Sequence, residues 1–300
     1  MHTKGQFMNS YVIWGMGLLG TSLALDLKKL GCKVAGIEKS REYIEVLQKY
    51  KFDKIYHTSD DFQESLRSCD GIIIATPVDA VYEILEQIAG ASLPENTWIT
   101  DMASTKGELM KKASHCSKNM HFVGSHPMTG SDLNGPAHAR MDLFAGATIY
   151  VTPLPQPQND MGNLSDRILT ENVCKFWKSL GAHPYEISSE IHDKWAAYLS
   201  HGLHLVSCMV SCLLNDIPEV LEMSHPPAGG SFRDITRVAG SNPELWSGII
   251  NSNSKEVTAY LESMERLIGD WKRQLQEKNL PVKEIFMKSA RIRSAIVKNK

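Results

Sequence analysis

Three features are scarce in this 300-residue chain: an excess of one charge, paired cysteine motifs and long apolar runs. The 32 Lys and Arg residues nearly balance the 34 Asp and Glu residues, which gives a net charge of −2. A charge this small excludes a global field that would attract nucleic acid or anionic lipid. A small-molecule partner is therefore expected.

The six cysteines include no Cys-x-x-Cys pair and no spacing typical of a zinc site, so we expect free thiols and no metal. The first ten residues, MHTKGQFMNS, contain no apolar core of the kind found in a signal peptide. The apolar stretch from Tyr11 to Leu25 is interrupted by glycine and hydroxyl side chains. These features predict a cytoplasmic protein without a membrane span.

Short β-branched runs alternate with segments of helical period over the first two thirds of the chain. This alternation is typical of βαβ units, so it predicts an α/β fold with a doubly wound, Rossmann-type parallel sheet covered by helices on both faces. The predicted strands are Tyr11–Gly15, Val34–Glu38, Gly71–Pro77, Trp98–Asp101, His121–Gly124, Ala147–Val151 and Pro184–Ile187, and the predicted helices lie near Leu19–Leu30, Arg41–Tyr50, Ala80–Ile88 and Leu164–Leu180.

After about Ser189 the strand pattern ends and only helical periods follow. One runs from Ile191 to Leu214 and a second from Leu245 to Trp271. Their large apolar residues exceed what one small domain can bury, which predicts a subunit interface and hence a homodimer. The expected organisation is a tail over residues 1–8, an α/β domain over residues 9–189 and an all-helical dimerisation domain over residues 190–300.

The sharpest local motif is the sequence GMGLLG, which follows a predicted strand and opens a predicted helix. In that context Gly15 permits a tight turn, Gly17 lets the backbone approach a pyrophosphate, and Gly20 lets the helix and strand pack closely. The free N–H groups of the helix N-terminus, around Leu18 and Leu19, would face the phosphates. The motif therefore predicts a bound dinucleotide.

Glu38 stands at the end of the second predicted strand, where a carboxylate can accept hydrogen bonds from an adenosine ribose. The same carboxylate would repel a 2′-phosphate. The sequence therefore predicts NAD, and the neighbouring cations Lys39 and Arg41 leave NADP as the alternative.

Polar loops follow three later strands at their carboxyl ends, which is where ligands bind in open α/β sheets. Thr76 and Pro77 close one strand and are expected to line the cofactor. Ser104 follows the next strand, and a helix N-cap is its alternative role. His126 lies between a strand end and a proline in a loop with two glycines, a setting that favours a functional histidine.

Two pairs of polar residues share helix faces in the second half. His201 and His204 fit either a ligand site or two ordinary buried histidines. Arg233 and Arg237 follow a glycine turn, and two guanidiniums there suit bidentate capture of a carboxylate. Asp234 could alternatively pair with Arg237 at the surface.

Five segments together resemble the prephenate/arogenate dehydrogenase family of tyrosine biosynthesis. They are the glycine motif with Glu38, DMASTKGEL from Asp101, VGSHPMTGSD from Val123, HDKWAAYLSHGLH from His192 and FRDITRVAGSNPELW from Phe232. The resemblance implies a nucleotide-binding domain followed by a helical dimerisation domain, with the active site in the cleft between them.

The resemblance also implies roles for single residues. The catalytic histidine matches His126, the helping serine Ser104, the substrate-pocket histidine His204 and the carboxylate-binding arginine Arg237. In some members two acidic residues gate the pocket. Their positions hold Asp234 and Asp132, the latter shorter than the glutamate expected there.

The reaction implied is the oxidative decarboxylation of prephenate to 4-hydroxyphenylpyruvate, with hydride transfer to NAD. Arogenate, which carries an amino group in place of the side-chain keto group, is the alternative substrate. A β-hydroxyacid dehydrogenase-like oxidoreductase has the same two-domain plan, but that class uses a lysine or another polar residue on the interdomain helix, where this chain has histidines. A protein that only binds a dinucleotide is a third interpretation, against which the joint presence of Ser104, His126, His204 and Arg237 argues.

Overall fold

The computed structural model describes residues 9–116, 120–130, 133–154 and 164–297. The predicted tail over residues 1–8 and the predicted pocket residue Asp132 lie outside the described residues.

Eight strands form one sheet in the order β3-β2-β1-β4-β5-β6-β7-β8, and every neighbouring pair is parallel except β6 with β7. The chain reverses direction across the sheet between β1 and β4, and the predicted doubly wound α/β fold is confirmed. The strands are β1 (Ser10–Trp14), β2 (Lys33–Glu38), β3 (Lys54–His57), β4 (Gly71–Ile74), β5 (Trp98–Asp101), β6 (His121–Pro127), β7 (Thr148–Thr152) and β8 (His183–Glu186).

Helices cover both faces of this sheet and also form the rest of the chain. They are α1 (Leu18–Lys29), α2 (Arg41–Leu47), α3 (Gln63–Leu66), α4 (Val78–Ala89), α5 (Gly107–Cys116), α6 (Leu164–Ser179), α7 (Ser189–Ala196), α8 (Gly202–Cys212), α9 (Gly230–Thr236), α10 (Pro243–Ser252), α11 (Ser254–Gln276) and α12 (Val282–Ile296). Short 3₁₀ turns occur at Gln48–Tyr50, Pro136–His138, Leu213–Asp216, Pro218–Val220 and Arg237–Gly240.

Alternate side chains of each strand enter different cores, as the period of two requires. On β1, Tyr11 and Ile13 pack with residues of α1 and α6, while Val12 and Trp14 pack with residues of α4 and α5. The sheet is thus buried on both faces, which explains why its central strands are continuous apolar runs.

Several predicted strand limits were wrong. The strand β3 was missed because its sequence, KIYH, is short and its side chains stay half-exposed or exposed at the edge of the sheet. The strand predicted over Gly71–Pro77 ends at Ile74, since α4 begins directly after Pro77. The strand β6 continues to Pro127 because it pairs antiparallel with β7, so His126 lies in a strand rather than in a loop.

The second long helix predicted over Leu245–Trp271 is two helices, α10 and α11, separated at Asn253. Asn253 is 3% exposed, and its backbone leaves the helical region (φ −118°, ψ 26°). Its side-chain amide donates to the carbonyl oxygen of Asp193 at 2.8 Å and lies 3.0 Å from Nδ1 of His201. The break therefore places an amide against the preceding helices.

Helices α7 and α8 are joined by a π-helical turn over Ala197–His201. The predicted apolar face of this continuous helix is exposed, at Trp195, Leu199 and Met209 among others, whereas the buried residues include the polar His192 and Asp193. Within the described ranges, Ser189–Asp216 is the one helix long and apolar enough to cross a membrane by length and composition, and 22% of its most apolar window is buried. A single protomer leaves this apolar face without a partner.

Candidate active site

The turn between β1 and α1 has the backbone that a bound dinucleotide requires. Gly15 has φ +96°, and a Cβ on Gly20 would overlap the carbonyl oxygen of Gly15. Gly17 has open space where its Cβ would be, and it begins α1 without a side-chain cap, so the first N–H groups, at Leu18 and Leu19, stay available to an anion.

The Glu38 carboxylate is fixed by the backbone around it. It accepts hydrogen bonds from the N–H groups of Met16, Lys39 and Ser40, at 2.8, 2.8 and 2.9 Å. A carboxylate has about four acceptor sites, so capacity for a ribose hydroxyl remains. Glu38 therefore links the glycine turn to the end of β2.

Thr76 packs against the same turn from the end of β4. Its methyl carbon would lie 2.7 Å from a Cβ on Gly15, and its enclosed hydroxyl oxygen has no hydrogen-bond partner among the described residues. An enclosed, unpaired hydroxyl at this place fits a polar group of a bound dinucleotide. The neighbouring Pro77 is the exposed N-cap residue of α4.

A chain of three polar side chains connects β6 with α7. Nδ1 of His126 lies 2.9 Å from Nε2 of His192, and Nδ1 of His192 lies 2.8 Å from Oδ1 of Asp193. His126 is 8% exposed and His192 fully buried. Nε2 of His126 makes no hydrogen bond within the described part of the chain, so this nitrogen is available to a ligand.

Asp193 also binds the start of α5. Its two carboxylate oxygens accept the backbone N–H groups of Lys106 and Gly107 at 2.8 and 2.7 Å. Ser104 is half-buried and has no hydrogen-bond partner among the described residues. The alternative in which Ser104 caps a helix is therefore wrong, because the acceptor for these N–H groups comes from α7.

A fully buried ion pair lies beneath the Ser104 loop. Nζ of Lys106 donates to Oδ2 of Asp101 at 2.6 Å and to the carbonyl oxygen of Ala103 at 2.8 Å. Oδ1 of Asp101 accepts the N–H of Ser125, the residue before His126, at 3.0 Å. The pair thus ties the loop after β5 to the strand that carries the histidine.

The helical half places further polar groups near His126. Burial is the main cause that lowers the pKa of His126 well below 6.5, and the nearby basic groups of His192, Lys106 and His201 add to this shift. Burial also lowers the pKa of His204, and the charge of Arg237 contributes to that shift. The ring of His204 stacks on that of Trp246, with centroids 3.4 Å apart. A series of basic side chains thus extends from the sheet into the helical half: His126, His201, His204 and Arg237.

Arg237, Arg233 and Asp234 are all exposed. Among the residues that the structure describes, Arg237 and Asp234 form no ion pair, so the surface pairing considered for them is wrong. Arg237 begins a 3₁₀ turn immediately after α9 rather than continuing that helix. Its guanidinium is therefore available to a ligand.

Acid should unfold this protein because several buried histidines are neutral. Burial lowers the pKa of His201 to about 4, and it also lowers those of His126 and His192. Below about pH 6.5 these histidines take up protons in the unfolded chain but not in the folded chain. The free energy of unfolding should therefore fall as the pH drops from 6.5 to 4. His201 alone accounts for about 3 kcal/mol of that loss.

Urea unfolding at pH 7.5, 6 and 5, at one protein concentration, measures this effect. His201→Asn should flatten the dependence, while the exposed His183→Gln should leave it unchanged. A free energy of unfolding that stays constant from pH 7.5 to 5 would contradict it.

Sequence reasoning gave no role to several side chains of this network. Their partners are far away in the chain: His192 meets a residue 66 positions earlier, and Asp193 meets backbone groups 87 and 86 positions earlier. The available signal was a polar pair, His192-Asp193, at the start of an otherwise apolar helix. The missed residues are Asp101, Lys106, His192, Asp193 and Asn253.

Comparisons with known proteins cover almost the whole described fold. The family described as "Prephenate dehydrogenase, nucleotide-binding domain" matches residues 23–185, and the family described as "Prephenate dehydrogenase, dimerization domain" matches residues 188–288. The two matches meet between β8 and α7.

Individual proteins are also similar to this chain. A prephenate dehydrogenase of Bacillus subtilis is 31% identical over 255 residues, which are 84% of this chain and 66% of that protein, so the chain spans slightly less than two thirds of its length. A cyclohexadienyl dehydrogenase of Zymomonas mobilis is 28% identical over 87% of this chain and 85% of its own length. The solved prephenate dehydrogenase of A. aeolicus, in complex with hydroxyphenyl propionate and NAD+, superposes with a TM-score of 0.78 at 24% identity and covers 97% of this chain and 99% of that one.

Proposed function

The chain belongs to the prephenate dehydrogenase family, and on that premise we propose that it oxidatively decarboxylates prephenate to 4-hydroxyphenylpyruvate, with NAD as hydride acceptor. The family matches confirm the resemblance drawn from the five sequence segments, and they favour this class over a β-hydroxyacid dehydrogenase. The observation that carries the proposal is His126, which lies at the carboxyl edge of the sheet and is enclosed and neutral. It is hydrogen-bonded to His192 of the helical half.

The cofactor site is the turn after β1 with the end of β4. Gly15, Gly17 and Gly20 leave room for the pyrophosphate, Glu38 would bind the adenosine ribose, and Thr76 supplies a free hydroxyl. When bound, NAD accepts the hydride that leaves C4 of the substrate.

His126 handles the proton in this scheme. Its neutral imidazole accepts the proton of the C4 hydroxyl as hydride leaves, and Ser104 would orient that hydroxyl. The bond between C1 and the ring carboxylate then breaks, carbon dioxide leaves, and the electron pair enters the ring. The oxygen at C4 becomes that of a phenol by taking the proton back from His126, so no net proton is released.

The helical half would hold the polar ends of the substrate. We assign the carboxylate contact to Arg237, with Arg233 as the second candidate, and the side-chain contact to His204. We propose, from the family motif alone, that Asp234 and Asp132 gate the pocket, Asp132 being outside the described residues. The roles of Arg237 and His204 also rest on the placement of Arg237 close enough to influence His204.

The protein is inferred to be a soluble homodimer that acts on a small molecule. The exposed apolar face of α7 and α8 lies within the part matched by the dimerisation-domain family, so a second copy would cover it. We propose domain limits of 9–189 and 190–300, close to the junction of the two family matches, and a cytoplasmic location.

Initial rates of NADH formation with prephenate and with arogenate test the proposal. We expect turnover of prephenate with a higher kcat/KM than that of arogenate. A higher kcat/KM for arogenate would establish arogenate as the substrate instead. The similarity to a cyclohexadienyl dehydrogenase is the reason to test it. Absence of NADH with both substrates would overturn the proposal.

Arg237→Gln should weaken prephenate binding more than NAD binding. The change removes a charge-assisted hydrogen bond to a carboxylate, which is worth about 1.5–3 kcal/mol, or roughly a 10- to 150-fold rise in the KM for prephenate. Asp234→Asn and Arg233→Gln are the matched variants from the same surface. If the KM for prephenate is unchanged in a folded, dimeric Arg237→Gln protein, Arg237 does not bind the carboxylate and Arg233 becomes the candidate.

Glu38→Ser should narrow or reverse a preference for NAD over NADP. The variant loses the carboxylate that repels a 2′-phosphate, and the exposed cations Lys39 and Arg41 lie beside it. The ratio of kcat/KM for the two cofactors measures the effect, with the exposed Glu42→Ser as control. If the wild-type protein prefers NADP, the assignment of Glu38 to the adenosine ribose is wrong.

A further inference from the structure

We propose that His192 and Asp193 are positioning residues that hold His126 in the one tautomer able to act as a base toward the substrate. The proposal rests on the function assigned to His126 above. It concerns two side chains that come from the other half of the chain and that need not touch the substrate.

The direction of each hydrogen bond in the chain follows from Asp193. An ionised carboxylate can only accept, so Nδ1 of His192, 2.8 Å from Oδ1 of Asp193, must carry a proton. A neutral His192 then has a lone pair on Nε2, the nitrogen that lies 2.9 Å from Nδ1 of His126. His126 must therefore donate from Nδ1.

This donation fixes the form of His126. A neutral imidazole carries one ring proton, and if that proton is on Nδ1, then Nε2 holds the free lone pair. Nε2 is also the nitrogen that has no hydrogen-bond partner among the described residues. The arrangement thus leaves the basic atom of His126 available to a hydroxyl group.

Asp193 is itself held in place by hydrogen bonds to two other segments of the chain. Its carboxylate accepts two backbone N–H groups at the start of α5, those of Lys106 and Gly107, directly after the loop that carries Ser104. Its backbone carbonyl accepts from Asn253 on the far side. One carboxylate therefore connects the Ser104 loop, the tautomer of His126 and the helical half, so the base is correctly oriented only when the two halves are docked.

Asp193→Asn reverses the polarity of the chain. An asparagine whose NH2 group replaces Oδ1 donates to Nδ1 of His192 and keeps its oxygen toward the N–H of Gly107, while the N–H of Lys106 loses its acceptor. His192 would then donate from Nε2 to Nδ1 of His126 and move the proton of His126 onto Nε2. We expect kcat to fall by roughly 100- to 10,000-fold, as expected for a base in the wrong tautomer, while the Kd for NAD changes less than about threefold.

The control for this variant is Asp61→Asn, an exposed aspartate that also accepts a backbone N–H, that of Gln63, and lies outside the site. It should keep wild-type kcat. The proposal is overturned if Asp193→Asn keeps a kcat within threefold of wild type. It is also overturned if the loss of activity merely follows the fraction of unfolded protein.

His192 offers a conservative rescue. His192→Phe keeps an aromatic ring but removes the acceptor, whereas His192→Gln places an amide oxygen that can still accept from Nδ1 of His126. We expect kcat of the Gln variant to exceed that of the Phe variant at least tenfold, at similar melting temperatures. Equal kcat values for the two variants would count against a hydrogen-bonding role.

The tautomer can be read without any substrate. In protein labelled with ¹⁵N-histidine, the ring signals of His126, assigned by their loss in His126→Asn, should show a protonated Nδ1 and an unprotonated Nε2 in the wild type and the opposite in Asp193→Asn. A wild-type protein in which Nε2 of His126 carries the proton would overturn this proposal. A wild-type protein with the expected tautomer that does not oxidise prephenate would overturn the proposed function instead.

Discussion

His126→Asn should lower kcat for prephenate by roughly 100- to 10,000-fold, because it removes the group proposed to accept the proton of the reacting hydroxyl. Asparagine can still donate a hydrogen bond to Nε2 of His192, so the surrounding network should persist. The Kd for NAD should stay close to that of the wild type, since the dinucleotide is proposed to bind at the turn after β1. Steady-state kinetics with prephenate and a fluorescence titration with NAD measure both quantities.

The matched control is His121→Asn, an exposed histidine at the start of the same strand. It should leave kcat and the Kd for NAD unchanged. If His126→Asn kept more than a tenth of the wild-type kcat, another residue would have to be the base.

Lys106→Met should give the largest loss of stability, about 3–5 kcal/mol in the free energy of unfolding. The ammonium group and Asp101 are both fully buried, and their atoms lie 2.6 Å apart. Removal of the lysine leaves an enclosed carboxylate without its positive partner. The double variant Asp101→Asn with Lys106→Met should lose less than Lys106→Met alone, because it buries no charge at this site.

Urea unfolding at a fixed protein concentration measures these changes. Lys54→Met is the matched control, because Lys54 forms an exposed ion pair with Glu64 at 2.7 Å. Exposed pairs contribute about 0–1 kcal/mol, so its loss should be small. A loss for Lys106→Met no larger than that for Lys54→Met would show that the buried pair adds no stability.

Local features of the sequence were sufficient to predict the glycine turn and the carboxylate beside it that form the proposed cofactor site. The turn from Gly15 to Gly20 depends on the conformational freedom of single residues, and the position of Glu38 depends on the length of one βαβ unit. Both are properties of consecutive residues, so they are visible without knowledge of the tertiary structure.

The catalytic half of the site depends on contacts between distant segments. The buried face of α7 carries His192 and Asp193, while Trp195 on α7 and Leu199 on the π-helical turn after it are exposed. A helical pattern alone predicts the reverse, since it places apolar residues inside the protomer. The sequence predicted a subunit interface for these apolar residues, and their exposure on a single protomer agrees with that prediction. What it did not predict is that the opposite, buried face of α7 carries polar side chains.

An isotope-labelling experiment tests most directly the central claim, that hydride transfer from C4 is coupled to loss of carbon dioxide. Prephenate that carries deuterium at C4 should give NADH with one deuterium on the nicotinamide ring, and one carbon dioxide should be released for each NADH formed. Mass spectrometry of the two products measures both ratios in one reaction. NADH without deuterium, or NADH formed without release of carbon dioxide, would contradict the mechanism proposed for His126 and the cleft around it.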